Sequence, residues 1–345
     1  MGSSVDERLA WHQRESLMLD AATGPIVPSF VCSEPVYIDG QSYVERLLSA
    51  GMNAVSVSIG ALRDDFETVL RTVHQYHNLF LAEERSTLVR STGDIEDRVR
   101  DGRLGIIFWS QTGGMVEDQS WRWSVLHALG LRVCGIAYNE SNILGYGCVD
   151  PEDRGLTSFG RQAVQEMNYL GITVDITHSG PRTSMDAVEY SSQPVIASHS
   201  NAHSLCASQR NLSDELIRAI AERGGVIGVS PLSIMTYREI GVRPTLSDYL
   251  DMLEHVLQLV GPDHVAIGSD VFECNTKVVW EATFKRYPMP WRLGTNYASD
   301  FDKMHKWPNV IAGLLERGYS DDDIVKIIGS NWLRVFRETW HAPPF

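Results

Sequence analysis

The chain has 345 residues, of which 43% are hydrophobic, and its formal net charge is −14 at pH 7. This length and apolar content supply a large core and fit either two domains or one α/β barrel. The acidic charge argues against nucleic acid and anionic membranes as partners. The five cysteines, an odd number with no CxxC pair, argue against a disulfide framework and favour a reducing compartment.

The chain opens with a polar, charged segment, residues 1–16, which lacks the apolar core of a signal peptide. No later run reaches the roughly 18 apolar residues of a membrane-spanning helix. We therefore predict a cytoplasmic protein.

Short runs rich in valine and isoleucine then recur along the chain, as expected for strands that are buried on both faces of a parallel sheet. We predict eight strands at residues 17–21, 54–60, 105–111, 133–139, 173–179, 194–200, 225–231 and 265–271.

Segments with helical periodicity separate these strands, and several have clear ends. Ser213 precedes a helix with acidic residues in its first turn, and Gly224 follows its last turn. Residues 272–308 form a long excursion rich in aromatic residues and proline, and two helices close the chain at about 308–340. The excursion either shapes a pocket, forms a dimer contact or packs on the core.

Eight strands that alternate with helices predict one domain over residues 1–345 with a (β/α)8 barrel fold. In such a barrel the active site lies at the carboxyl ends of the strands. The residues that end the predicted strands are Asp20, Ser58, Gln111, Tyr138, His178, His199, Ser230 and Asp270.

Two histidines and one aspartate thus converge on one end of the barrel. Imidazole and carboxylate are common ligands of divalent metals, so His178, His199 and Asp270 are candidate ligands. Asp270 is also the candidate general base. Arg210, in the loop after the sixth strand, can bind a carboxylate with two hydrogen bonds. The alternative is that these side chains are hydrogen-bonded structural residues.

Four segments closely resemble the renal (membrane) dipeptidase family, a zinc-dependent branch of the amidohydrolase superfamily. They are "GLTSFGRQAVQEMNYLGITVDITHSG", "QPVIASHSNAHSLCASQRNLSDELIRAIAERGGVIGVS", "DHVAIGSD" and "IIGSNWLRVF". The resemblance extends from about residue 17 to about residue 338. It implies an amidohydrolase-like barrel with two zinc ions bridged by hydroxide.

By this resemblance, His178 and His199 match the ligands of the second zinc. Asp270 matches the aspartate that touches the first zinc and handles the proton. Arg210 matches the arginine that binds the carboxylate end of the substrate.

Three positions depart from the family pattern. The family's first strand carries Asp-Gly-His-x-Asp, whereas this chain has "LDAATG", which places Ala22 and Gly24 at the two ligand positions. The glutamate that bridges both zincs is replaced by Gln111, or by Thr112 with a shift of one residue. The histidine of the fourth strand is replaced by Tyr138, whose hydroxyl can still donate a hydrogen bond to a substrate carbonyl.

The first zinc site is therefore predicted to be absent. The remaining ligands, which are His178, His199, Asp270 and Gln111, can hold at most one divalent ion (zinc, manganese or iron) or none. We predict a divergent dipeptidase-family enzyme for a small amide or carboxylate substrate, with Arg210 and Tyr138 as substrate-binding residues and Asp270 and Tyr138 as catalytic residues.

Two alternatives stay open at this stage. One is a metal-independent acid–base enzyme, or a lyase or tailoring enzyme of small-molecule biosynthesis, on the same barrel. The other is a non-catalytic relative that binds a ligand. In each case the partner is a small molecule carrying a carboxylate, with no nucleic acid and no membrane, and a homodimer is compatible with the sequence.

Overall fold

Parallel strands form a nearly closed barrel in the computed structural model, which describes residues 4–27, 37–38, 40–62, 64–273 and 297–341. Eight strands follow the order β1-β4-β6-β7-β8-β9-β10-β11, and β5 pairs with β6 beside this path. A separate hairpin consists of β2 and β3. The strands are β1 Leu19–Thr23, β2 Tyr37–Ile38, β3 Gln41–Ser42, β4 Ala54–Gly60, β5 Ser86–Leu88, β6 Leu104–Ser110, β7 Leu131–Gly135, β8 Thr173–Asp175, β9 Ile196–Ala197, β10 Val226–Val229 and β11 Val265–Ile267.

The barrel closes between its first and last strands through residues that follow β11. Thr23 forms a parallel bridge with Val271. The amide of Gly24 donates to the carbonyl of Val271 at 3.0 Å, and the amide of Asp270 donates to the carbonyl of Ala22 at 2.8 Å. This closure confirms the predicted (β/α)8 barrel and places residues 20–24 beside residues 269–272.

Helices separate the strands, as the sequence periodicity predicts. They are α1 Val5–Glu15, α2 Tyr43–Ser49, α3 Phe66–Ala82, α4 Thr92–Asp101, α5 Trp121–Leu129, α6 Ser158–Leu170, α7 Pro181–Tyr190, α8 Asp214–Glu222, α9 Ser233–Thr236, α10 Leu246–Val260, α11 Trp307–Glu316, α12 Asp321–Val325 and α13 Asn331–Thr339. A π-helical turn, Lys326–Ser330, joins α12 to α13. Helices cover the two predicted C-terminal segments, the second of them as α12, the π-helical turn and α13.

Local sequence explains the ends of these helices. The Ser213 side chain accepts from the amide of Leu216 at 3.2 Å and so caps α8 as predicted. Helix α1, which the sequence analysis did not predict, has a capping box formed by Ser4 and Glu7. His12 of this helix is fully buried and bonds to Asp321 at the start of α12 at 2.8 Å. The polar N-terminal segment is therefore a docked helix.

The two faces of the sheet contribute to two hydrophobic clusters. Ile106 and Phe108 of β6 belong to the larger cluster, whereas the alternating residues Ile107 and Trp109 belong to the smaller one. This alternation follows from the two-residue period of a strand. Trp109 lies against His199, with ring centroids 5.4 Å apart, so the smaller cluster supports the end of the barrel that carries the histidines.

Part of the predicted excursion at 272–308 lies outside the described residues, namely 274–296 and with them Trp280, Phe284, Tyr287 and Trp291. The described chain resumes at Tyr297, which is buried against the barrel, with 6% of its surface exposed. The three described cysteines, Cys134, Cys148 and Cys206, are free and buried. Among the described helices, none combines the length and the apolarity that crossing a bilayer requires.

Candidate active site

His178 and His199 lie in the loops that follow β8 and β9, and their side chains meet above the end of the barrel. The two Nε2 atoms are 3.1 Å apart, and the side chains are 6% and 0% exposed. His178 adopts a left-handed backbone conformation with φ 70°, which is costly for a residue other than glycine. The structure therefore brings together the pair that the sequence predicted.

The other ring nitrogen of each histidine is also held. His178 Nδ1 lies 2.7 Å from Asn139 Oδ1, and His199 Nδ1 lies 2.9 Å from Ser198 Oγ. Burial, with the charge of Arg210 as the second cause, keeps the pKa of both histidines well below its usual value. Both imidazoles are therefore neutral at physiological pH.

Asp270 lies beside this pair, with its Oδ2 3.9 Å from His199 Nε2. The contact is not an ion pair because the imidazole is neutral. Burial raises the pKa of Asp270 to about 7, against an opposing effect of Arg210. Its backbone is left-handed, with φ 53°, and the Tyr297 hydroxyl donates to its carbonyl at 2.7 Å. Asp270 thus has a pKa suited to proton transfer near neutral pH.

Arg210 reaches the same cluster from the loop after β9. Its guanidinium is buried, with 3% exposure of the residue. Nη2 donates to the carbonyl of His199 at 3.2 Å and lies 3.5 Å from His178 Nε2. Nη1 is buried and has no hydrogen-bond partner, so the site contains a cationic donor that is available for a ligand.

Tyr138 and Gln111 complete the predicted set. Tyr138 stacks on the His178 ring, with centroids 4.0 Å apart and planes at 26°. Gln111 directly follows β6 and is 5% exposed, at the end of the barrel that carries the histidines. Thr112, its alternative at the family's glutamate position, accepts from Gly114 and from Asn142 at 3.1 Å. These bonds assign Thr112 to the local turn.

The segment "LDAATG" does not provide a metal site. Asp20 is fully buried and accepts from the amide of Ala22 at 3.1 Å and from the amide and hydroxyl of Ser269. Ala22 has no donor atom in its side chain. A Cβ added to Gly24 would lie 3.0 Å from both Phe272 Cα and the Val271 carbonyl. Any side chain at residue 24 therefore requires the neighbouring backbone to shift.

The donor atoms therefore do not fit a two-metal centre. Over the described ranges there is no group of three or more His, Cys, Asp or Glu side chains arranged to hold a metal ion. The two Nε2 atoms, with Asp270 nearby, are the nitrogen and oxygen donors in this cluster that suit a divalent ion. They fit one ion at most.

We expect that the double substitution Ala22→His, Gly24→Asp does not create a second metal site. The new side chain at residue 24 meets backbone atoms, and such overpacking lowers the free energy of unfolding by about 1–3 kcal/mol. Denaturant unfolding and metal analysis after zinc saturation test this. Gly93→Asp is the control, because its nearest neighbour would be Ser91 Oγ at 3.6 Å. A second bound ion at unchanged stability would contradict the prediction.

Three residues of the site were not singled out in the sequence analysis: Asp175, Ser198 and Asn139. Ser198 and Asn139 contact the Nδ1 atoms of His199 and His178, and Asp175 accepts from Ser198. Asp175 carried a signal, since a charged residue inside the apolar run "TVDIT" must find partners when the strand is buried. Ser198 and Asn139 carried none, because serine and asparagine are common at strand ends.

Comparison with protein families gives one match that covers most of the chain. The model of "Membrane dipeptidase (Peptidase family M19)" matches residues 30–284 and 291–342. Dipeptidase tcpJ of Claviceps purpurea is 26% identical over 82% of this chain and 61% of its own length. Dipeptidase aclJ of Aspergillus oryzae is 29% identical over 84% of this chain and 64% of its own length. The chain thus spans less than two thirds of these two relatives.

Solved structures show the same fold over nearly the full chain. An amidohydrolase from Pseudomonas aeruginosa superposes with a TM-score of 0.87 at 28% identity and covers 98% of this chain and 99% of its own. A metallo peptidase from Rhodobacter sphaeroides, solved with a phosphinate mimic of the dipeptide L-Ala-D-Ala, has a TM-score of 0.78 at 20% identity, with 94% and 100% coverage. The second likeness concerns the fold alone.

Proposed function

The chain belongs to the membrane dipeptidase family, peptidase family M19, and we propose that it is a divergent hydrolase of that family. Its substrate is a small amino-acid-like amide with a free carboxylate, and it uses at most one metal ion. Membership of the family supports the reaction class. The altered ligand positions Ala22, Gly24 and Gln111 support the limit of one metal ion.

The unpartnered Nη1 of Arg210 is the observation that carries this proposal. A buried charged donor without a partner is costly, and a substrate carboxylate removes the cost by accepting from it. Within the described residues no carboxylate lies within ion-pair distance of Arg210, and Nη1 has no acceptor. The nearby Asp270 has a raised pKa, so it compensates the guanidinium only in part.

The other residues have roles that follow from their positions. Arg210 orients the carboxylate, and the Tyr138 hydroxyl donates to the carbonyl oxygen of the scissile amide. Asp270 takes a proton from the attacking water and returns one to the leaving amine, which its pKa of about 7 permits. A metal held by His178 and His199, with Asp270 or Gln111, would polarise the carbonyl and acidify a water molecule when bound.

A second candidate is acid–base chemistry without a metal. It is favoured by the position of Arg210, whose Nη2 is 3.5 Å from His178 Nε2, because a guanidinium so close to this nitrogen opposes the binding of another cation. In this mechanism Arg210 and Tyr138 stabilise the negative charge on oxygen, and Asp270 transfers the proton. The third possibility, a ligand-binding relative without activity, predicts the same carboxylate recognition without turnover.

Substrate recognition is tested with paired ligands that differ only at the carboxyl end. We expect dipeptides and N-acyl amino acids with a free carboxylate to be hydrolysed, and their C-terminal amides to be poor substrates by at least about 100-fold in kcat/KM. L-Ala-D-Ala and its amide form the first pair. Equal hydrolysis of both forms would overturn the proposal, and stabilisation by the free acid without hydrolysis would favour the non-catalytic alternative.

Metal content is tested by elemental analysis of protein purified without chelator. We expect no more than one divalent ion per chain, because Ala22, Gly24 and Gln111 stand at ligand positions of the binuclear centre that the family pattern implies. Two tightly bound ions per chain would contradict this expectation. Activity measured before and after chelator treatment, with zinc, manganese and iron added back, then separates the two candidate mechanisms.

A further inference from the structure

A buried hydrogen-bond chain runs from Asp175 through Ser198 to His199. Ser198 Oγ lies 2.6 Å from Asp175 Oδ2 and 2.9 Å from His199 Nδ1. The three residues are between 0% and 1% exposed, so water does not compete for these bonds. Because one hydroxyl connects a carboxylate to an imidazole, the direction of each hydrogen bond can be derived from the donors around it.

Asp175 is the acceptor in each of its hydrogen bonds. Its Oδ1 accepts from the amides of Thr177 and Ser198, each at 3.0 Å, and its Oδ2 accepts from Trp109 Nε1 at 3.0 Å. An indole N–H and a backbone amide can only donate. The Ser198 hydroxyl therefore donates its single hydrogen to Asp175, in a short bond to a carboxylate.

The direction of the second bond follows from the first. Once the Ser198 hydrogen points to Asp175, only the lone pairs of Oγ face His199, so Nδ1 must supply the hydrogen between them. A neutral imidazole carries one N–H, and the Nε2 of His199 consequently keeps its lone pair. His178 Nε2, 3.1 Å away, also keeps its lone pair, because His178 Nδ1 donates to Asn139 Oδ1 at 2.7 Å. No hydrogen therefore lies between the two Nε2 atoms.

We propose that Asp175 and Ser198 are positioning residues that fix His199 in its Nδ1–H tautomer and so keep Nε2 available as an electron-pair donor in the site. The inference rests on the proposed function only for its catalytic consequence. The tautomer itself follows from the buried contacts and is measurable in an inactive chain.

The test is NMR of the full chain labelled with 15N-histidine, after dialysis against chelator, at a pH at which the imidazoles are neutral. We expect the wild-type His199 signal, assigned by its loss in His199→Asn, to show the Nδ1–H tautomer. In Ser198→Ala the acceptor is lost, and the hydrogen moves to Nε2, where His178 Nε2 accepts it. Ser200→Ala is the matched control, because this buried hydroxyl adjoins His199 and has no hydrogen-bond partner.

Asp175→Asn is a second variant that reverses the direction of these hydrogen bonds. The new amide N–H donates to Ser198, whose hydroxyl then donates to His199 Nδ1, and the tautomer becomes Nε2–H. Asp175→Asn also leaves the Trp109 N–H without its acceptor, so it is the variant at risk of misfolding. If Asp175→Asn is unstable, Ser198→Ala alone provides the test. An Nε2–H signal in the wild type, or an unchanged Nδ1–H signal in Ser198→Ala, would overturn the proposal.

Activity provides a separate readout. If the proposed hydrolase reaction holds, we expect kcat of Ser198→Ala to fall at least about 100-fold while KM changes by less than about threefold. Enzymes that depend on one histidine tautomer lose up to about 10⁴-fold in kcat when the other tautomer is present. Normal kcat in Ser198→Ala with a changed tautomer would overturn the catalytic role alone. Absence of any hydrolysis in the wild type would refute the proposed function and leave the tautomer result standing.

Discussion

Replacing Arg210 by methionine is expected to stabilise the protein while abolishing recognition of the substrate carboxylate. Methionine fills the space of the arginine stem and removes a buried cation whose Nη1 has no partner. Relief of such a group raises the free energy of unfolding by about 1–3 kcal/mol. Loss of a charged hydrogen-bond pair with the ligand lowers kcat/KM by about 10²–10³-fold. Denaturant unfolding and kinetics on a free-acid substrate measure both effects.

Arg46→Met is the matched control, because it changes another buried arginine whose charge is compensated. Arg46 Nη2 forms an ion pair with Glu273 Oε2 at 2.7 Å. Removing one partner of a buried pair leaves the other charge uncompensated and costs about 3–5 kcal/mol. The two substitutions therefore shift stability in opposite directions. Destabilisation of the Arg210 variant by as much as the Arg46 variant would show that Arg210 serves the fold rather than a ligand.

Replacing Asp20 by asparagine is expected to increase stability at pH 8 and to change it little below pH 4. Burial raises the pKa of Asp20 from 3.8 to about 7, against the hydrogen bonds from Ser269 and Ala22 that lower it. Between these two values the folded protein holds a proton that the unfolded chain has lost, so the free energy of unfolding falls as the pH rises through this interval. The shift of about three pKa units corresponds to an effect on the order of 4 kcal/mol.

Asparagine is neutral and close to aspartate in shape, so it removes this pH dependence of the free energy of unfolding and keeps the packing. The Ser269 hydroxyl, which lies 3.3 Å from the Ala22 carbonyl, can donate there and accept from the new amide. The measurement is urea unfolding of both proteins at intervals from pH 4 to pH 8. A difference between the two proteins that does not change with pH would show that Asp20 is ionised in the fold.

The barrel was predictable because each of its strands is a short apolar run, and burial on both faces leaves such runs recognisable in sequence. The strand ends were less predictable. Strands β8 and β9 end at Asp175 and Ala197, before the histidines predicted to end them, and His178 itself takes a left-handed backbone conformation. Both histidines still face the same space, since loops at one end of a barrel converge.

The clustered charged and imidazole side chains of the candidate site were predictable from the sequence, whereas the residues that hydrogen-bond to them were not. His178, His199, Arg210 and Asp270 have side chains whose chemistry is conspicuous at strand ends. The role of Ser198 depends on a carboxylate 23 residues away in sequence, which no local pattern reveals. The free Nη1 of Arg210 is likewise a property of the surrounding fold, since sequence specifies a guanidinium but not which of its donors lacks an acceptor.

The small space at Gly24, where an added Cβ would lie 3.0 Å from Phe272 Cα, has a consequence for the substitutions open to this protein. An aspartate at residue 24 requires the backbone at residues 271–272 to shift by a few tenths of an ångström, and that shift alone gives no gain in packing. Neither change is favoured without the other. Placing a carboxylate at residue 24 therefore requires two coupled changes, so the departure from the family pattern at Ala22 and Gly24 is hard to reverse by single substitutions.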